Sequence, residues 1–264
     1  MSSVPLSPPS GRTLNHAGWA LRVQFFVAGA LFATWGVHVP SVKAHYALGE
    51  RALAIAMLAA GVGAVLALTQ AGRVVGRHGP RAVTLAGGTI CCACIALLLA
   101  FDAYAALLVA MFVYGAAASL MDVSINAEAS EIERLSARPL MSGFHGMFSL
   151  GGMAGAAVGS IVPAAGVSAQ QHLLGASLAC LAMILAAGGA MLRMRGEGAG
   201  GVSLSLPRGA LLLIGALAAL GLIAEGAMYD WSVLFVKQEL GGEPGIAALA
   251  YASFSAAMAA GRFG

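Results

Sequence analysis

Residues 52–70 read ALAIAMLAAGVGAVLALTQ and contain no charged side chain. A helix that crosses a membrane needs about 20 consecutive, mostly apolar residues, and this stretch is close to that length. The rest of the chain is similar, with 59% hydrophobic and only 9% charged residues. Soluble domains carry about 25% charged residues, so most of this surface must face lipid. Because lipid leaves no partner for exposed backbone groups, the sequence predicts an all-α membrane protein.

Seven further segments resemble this one in length and composition, which predicts about eight membrane-spanning helices. Together with residues 52–70, the eight segments are residues 19–39, 52–70, 82–100, 104–125, 143–163, 172–192, 209–228 and 246–261. If the connections alternate between the two sides, eleven of the 14 Lys and Arg residues fall on the side of the N-terminus. The positive-inside rule therefore predicts an inner-membrane protein with a cytoplasmic N-terminus.

The polar stretches divide the chain into four parts. Residues 1–18 are rich in Ser and Pro and are predicted to be a disordered cytoplasmic tail. Residues 19–194 would form a six-helix bundle, and residues 195–208 a Gly-rich cytoplasmic linker. Residues 209–264 would supply the first two helices of a second, incomplete bundle. Matching VK, LG and AGR pairs about 190 residues apart indicate that helices seven and eight repeat helices one and two, although a chance match in an Ala- and Gly-rich chain is the alternative.

Two motifs carry a resemblance to a known family. The loop after helix two, GRVVGRHGPR, resembles the major facilitator signature G-x-x-x-D-R-x-G-R-R through Gly72, Arg77, Gly79 and Arg81. Gly76 stands at the acidic position, which puts the charge relay of that cytoplasmic gate in doubt. Residues 126–152 contain NAE and PLMSGFHGMFSLGG and resemble the sugar-permease-like branch of that superfamily. The resemblance implies twelve helices, so the chain is expected to be truncated after its eighth.

Ionisable residues inside a membrane are costly and therefore indicate function. Asp122 on helix four and Glu225 on helix seven are the main candidates, each within a polar stripe on one helix face. The alternative is that both lie near helix ends and reach the membrane surface. The stripes contain Ser119, Asp122 and Asn126 on helix four, and Glu225, Tyr229 and Ser232 on helix seven.

Other polar and aromatic residues could belong to the same path. Gln24 is a cavity candidate on helix one, and His145 is either a proton-relay residue or a helix-start hydrogen-bonding group. Trp35 and His38 share a face of helix one, where Trp35 could stack on a sugar ring or anchor the helix at the membrane interface. Asp230 and Trp231 are expected at the outer edge of helix seven. Gly151, Gly155 and Gly159 form a GxxxGxxxG face that predicts close helix packing.

These features predict a secondary transporter of a small polar solute, possibly a sugar, working by alternating access in symport with protons. The alternatives are an exporter of amphipathic compounds, which an apolar and aromatic cavity would favour, and a non-transporting membrane protein. No enzyme motif, cofactor or metal site is predicted, and the net charge of +3 gives little support for a nucleic-acid partner. Cys91, Cys92 and Cys94 are expected to be small packing residues. Glu128, Glu131 and Glu133 are expected in a solvated cytoplasmic loop.

Overall fold

The computed structural model describes residues 10–194 and 208–263, and these residues form helices and connections without a strand. Most of the predicted tail (1–9) and of the predicted linker (195–207) lies outside the described residues. The eight helices are α1 (Gly11–His45), α2 (Glu50–His78), α3 (Pro80–Ala96), α4 (Tyr104–Ser136), α5 (Met141–Ile161), α6 (Ala169–Gly188), α7 (Ala210–Gln238) and α8 (Pro244–Phe263). The all-α prediction is confirmed.

Each predicted span lies on one of these helices, but the boundaries differ. Residues 11–18, expected to be disordered, form the first turns of α1, because the Ser10 hydroxyl accepts a hydrogen bond from the Thr13 N–H and caps the helix. Among the described helices, six are long and apolar enough to cross a membrane, namely α1, α2, α4, α6, α7 and α8. Helix α3 has only 17 residues. Helix α5 has 21 residues, but six glycines and three serines lower its hydropathy.

Helix α1 lies at the centre of the fold and contacts α3, α4, α5, α6, α7 and α8. The most extensive helix pairs are α2 with α4, α1 with α5, and α5 with α8. Small residues permit these close approaches. A Cβ atom added at Gly151 would lie 1.9 Å from the carbonyl oxygen of Phe26, and one added at Gly115 would lie 1.9 Å from that of Ala60. The first bundle is therefore held together by backbone-to-backbone contact, as is common between membrane helices.

Helix α5 packs against α1 on one side and against α8 on the other. Gly151, Gly155 and Gly159 all face α1, as the GxxxGxxxG pattern predicts. A second row of glycines on α5 faces α8: a Cβ atom at Gly146 would meet the Phe263 ring, and one at Gly152 would meet Ser255. The two helices of the last segment therefore pack on the first bundle through α5 and α1.

Candidate functional site

A cavity of about 610 Å³ lies between α1, α2, α4, α5 and α7. Its wall is mostly apolar and consists largely of Leu, Met, Ala and Gly residues of α1, α2 and α4. Four aromatic residues and two carboxylates face it, and no Lys, Arg or His is among the described residues that line it. The aromatic residues are Phe32, Trp35, Tyr114 and Phe148, and the carboxylates are Asp122 and Asp230.

Asp122 lies where the helix-four stripe predicts a functional carboxylate. Ser119 and Asp122 both line the cavity. Asn126, one turn further along α4, donates a hydrogen bond from Nδ2 to Oδ1 of Asp122 at 3.1 Å, and another to the Asp122 carbonyl oxygen at 2.9 Å. His145 on α5 lies near Asp122. The stripe thus orients one carboxylate toward the open space.

Asp230 lines the cavity, although sequence reasoning did not single it out as a functional candidate. It was expected at the outer edge of helix seven, but α7 continues to Gln238. Trp35 also lines the cavity, beside Asp230, and its side chain is only 2% exposed. Trp35 is therefore not an interfacial anchor. Trp231 is 39% exposed, which is consistent with an anchor at the membrane interface.

Glu225 does not line the cavity. Its Oε1 atom accepts a hydrogen bond from Nη2 of Arg262 on α8 at 3.2 Å, and both side chains are largely buried. Arg262 also donates from Nη1 to the Ser149 hydroxyl at 2.6 Å and to the His145 carbonyl oxygen at 3.5 Å. Its own carbonyl oxygen accepts from the Ser142 hydroxyl. Arg262 thus joins α5, α7 and α8 in one polar cluster.

Tyr229 and Ser232 follow Glu225 into the packed interior. The Tyr229 side chain is 3% exposed and lies in a core cluster with residues of α1, α5 and α8. Its ring contacts Phe32 edge-on at 5.6 Å and lies 4.8 Å from the Tyr251 ring. The helix-seven stripe therefore faces α8 and α5, and only the helix-four stripe faces the cavity. The direction in which each stripe faces depends on the helices packed around it. The spacing of residues along α7 does not reveal which helices these are.

The remaining polar candidates of α1 join helices rather than line the cavity. Gln24 is fully buried and donates from Nε2 to the Ile184 carbonyl oxygen on α6 at 3.1 Å, while its Oε1 has no partner among the described residues. His38 Nε2 lies 2.7 Å from His172 Nδ1, also on α6. His145 packs its ring edge-on against Phe25 at 5.3 Å. Gln24 and His38 are therefore structural contacts between α1 and α6.

The signature loop lies against the segment that follows α6. Gly79 ends α2 and precedes α3 with φ of +81°, and a Cβ atom there would lie 2.7 Å from the Met194 carbonyl oxygen. Gly72 and Arg77 are exposed on the last turns of α2, and Arg81 in the first turn of α3 is half-buried. The charge of Arg81 reaches Glu128, the acid discussed next.

Glu128 corrects the expectation of a solvated acidic loop. It lies on α4, is fully buried, and its Oε1 accepts the Leu192 N–H at 2.7 Å. Glu133 likewise accepts the N–H groups of Leu140 and Met141 at the start of α5. Glu131 instead pairs with Arg134 one turn along the surface of α4. Glu128 and Glu133 therefore join α4 to the segment after α6 and to the start of α5, and α4 extends eleven residues beyond its predicted end.

The cysteines are packing residues, as expected. Cys91, Cys92, Cys94 and Cys180 are all buried and unpaired in the core of the first bundle. Cys91 also contributes to the cavity wall.

Comparison with known proteins gives three relatives of this chain. No family model matches it. It is 36% identical over 241 residues to an uncharacterized MFS-type transporter of Yersinia pestis, covering 91% of this chain. It is 32% identical over 240 residues, or 89% of this chain, to an uncharacterized transporter of Sinorhizobium fredii. It is 27% identical over 268 residues, or 99% of this chain, to the membrane protein MosC of Rhizobium meliloti. This multi-helix membrane chain is thus similar over most of its length to proteins described as transporters, and it spans 63% of the length of those curated relatives.

Proposed function

We propose that this chain belongs to a secondary transporter of the major facilitator type, and that the cavity between α1, α2, α4, α5 and α7 is its solute path. The observation that carries the proposal is that two carboxylates face an open space bounded by helices of both the first bundle and α7. Ionisable groups at membrane depth characteristically line such paths. The similarity to an MFS-type transporter of Yersinia pestis supports the same function.

The proposed transport cycle moves α7 and α8 relative to the first six helices. Helix α5 would be the contact line, because its glycine rows pack on α1 on one side and on α8 on the other. The Arg262 cluster joins Ser149 on α5 to Glu225 on α7, so it would hold one state of the cycle. Proton coupling would use Asp122, which faces the cavity, and Glu225 would act in the cluster rather than in the path.

A small polar solute, such as a sugar, is the first candidate, supported by the resemblance of residues 126–152 to the sugar-permease-like branch. An amphipathic solute is the second candidate. The predominantly apolar wall and its four aromatic residues favour it, as does the position of Tyr229 and Ser232 outside the cavity.

Alternating access can be tested before the solute is known. A single cysteine at Ser119, introduced after the four native cysteines are replaced, should react with a membrane-impermeant thiol reagent from either side of the membrane. Val109, 63% exposed on the apolar outer face of the same helix, is the matched control. Val109→Cys should react slowly, because a thiol in lipid does not ionise readily.

The protein should be expressed from its complete reading frame in this experiment. Labelling of Ser119→Cys from one side only, or at the same rate as Val109→Cys, would contradict a transport path through this cavity.

A further inference from the structure

We infer that the solute accepted by this cavity is an organic cation: an amine or quaternary ammonium group on a body with apolar or aromatic surface. The inference rests on the proposed function, since it assigns a substrate class to the same cavity. It commits to the charge of the solute, which neither the relatives' names nor the first two solute candidates specify.

The charge distribution of the lining supports this assignment. Asp122 and Asp230 line the cavity, and none of the described lining residues is Lys, Arg or His. Two partly buried cations of the fold lie near other acids: Arg262 pairs with Glu225, and Arg81 lies near Glu128. His145 is near Asp122 but does not line the cavity. A negatively charged solute would therefore be repelled, while a positively charged one would find two acceptors.

The free-energy cost of holding two carboxylates in an apolar cavity also favours a cationic solute. A charged group held in an apolar environment is unfavourable unless it is paired. The described hydrogen bonds to the Asp122 side chain come only from the neutral amide of Asn126. Asp230 has the Trp35 indole beside it, also neutral. A cationic solute would supply the missing charge, and a proton is the alternative occupant.

The aromatic residues supply the second type of contact. The negative faces of Trp, Tyr and Phe rings attract ammonium groups within about 6 Å of the ring centre. Trp35 and Tyr114 flank the region of Asp230, and Phe32 and Phe148 lie on the walls formed by α1 and α5. The volume of about 610 Å³ lies within the range of about 300–1,000 Å³ that is usual for small-molecule sites.

Three probes that share a phenylethyl body and differ in their head group test the inference. Phenylethyl trimethylammonium is a permanent cation, phenylethyl alcohol is neutral and phenylethanesulfonate is an anion. Binding of each is measured by calorimetry on the protein, expressed from its complete reading frame and purified in a nonionic detergent. The cation should bind at least about tenfold more tightly than the alcohol, since only the cation is attracted by the charges of the two carboxylates and by the faces of the aromatic rings. The sulfonate should not bind measurably.

Variants identify the groups responsible. Asp122→Asn and Asp230→Asn should each reduce the preference for the cation by about three- to tenfold, and the double variant should abolish it. Asp102→Asn is the matched control, because Asp102 is fully exposed in the connection between α3 and α4, and it should change nothing. Asp122→Glu, which keeps the charge, should retain the preference and so shows that a loss in Asp122→Asn is not misfolding.

Equal binding of cation and alcohol, binding of no probe, or a preference that survives the double variant would overturn the inference. The labelling of Ser119→Cys is independent of these outcomes. Two-sided labelling without cation preference would leave the transport proposal standing and remove only the substrate class. One-sided labelling would remove the transport proposal itself.

Discussion

The ion pair between Glu225 and Arg262 should stabilise the contact between the first bundle and α7–α8. Oε1 and Nη2 are 3.2 Å apart, and the side chains are 19% and 24% exposed. At an effective dielectric constant of about 20, Coulomb's law gives a gross attraction of about 5 kcal/mol at this distance. Desolvation offsets much of that attraction, so the net coupling between the two side chains should be about 1–3 kcal/mol.

A double-mutant cycle measures this coupling directly. Glu225→Gln, Arg262→Gln and the double variant are compared with the unmodified protein by unfolding in mixed micelles with increasing denaturing detergent. Each single variant leaves one charge without its partner, so the two single losses should add to more than the loss in the double variant. The difference is the coupling energy.

The surface pair Glu131–Arg134 provides the matched control, because Arg134 is 69% exposed. The same cycle on that pair should give at most about 0.5 kcal/mol. If the Glu225–Arg262 cycle gives no more coupling than the surface pair, the polar cluster does not hold α5, α7 and α8 together, and the argument from its geometry fails.

Three further variants probe the packing between helices. Gly151→Ala should lower the thermal midpoint in detergent by several degrees, equivalent to about 1–3 kcal/mol, because its Cβ atom would lie 1.9 Å from a carbonyl oxygen of α1. Gly143→Ala has open space around it and should leave the midpoint unchanged. Equal midpoints for the two variants would contradict the close packing of α5 on α1. Glu128→Ala should destabilise by about 1–3 kcal/mol because it leaves a buried N–H unpaired, whereas Glu131→Ala should cost about 0.5 kcal/mol or less in the same unfolding assay; similar losses would refute the buried capping role. Gln24→Leu loses one hydrogen bond but also removes a buried, unpartnered oxygen, so its unfolding free energy should stay within about 1 kcal/mol of the original; a larger loss would show that this contact between α1 and α6 matters more than its geometry implies.

The positions of the helices could be predicted because the signal is local. A long apolar run can satisfy its backbone groups in lipid only as a helix. All eight predicted segments lie on helices for this reason. The ends were less predictable: α1 begins at Gly11 and α4 continues to Ser136, because helix ends depend on caps and on contacts with other segments.

The candidate site was predictable only in part. Ser119, Asp122 and Asn126 share one face of α4. Ser119 and Asp122 line the cavity, and Asn126 donates a hydrogen bond to Asp122. Glu225 and Tyr229 share a face of α7 by the same spacing, yet that face packs against α8 and α5. Periodicity tells which residues lie together on one helix, but not which neighbour they meet.

The sequence by itself determined that this is an all-α membrane protein and that α5 packs closely on another helix through its glycines. These properties follow from composition and spacing, which act within one helix. Only the tertiary structure decided that Asp230 and Trp35 line the cavity, that Glu225 pairs with Arg262, and that Glu128 is buried. The physical reason is that the surroundings of a side chain are set by the helices packed against it, and these come from distant parts of the chain.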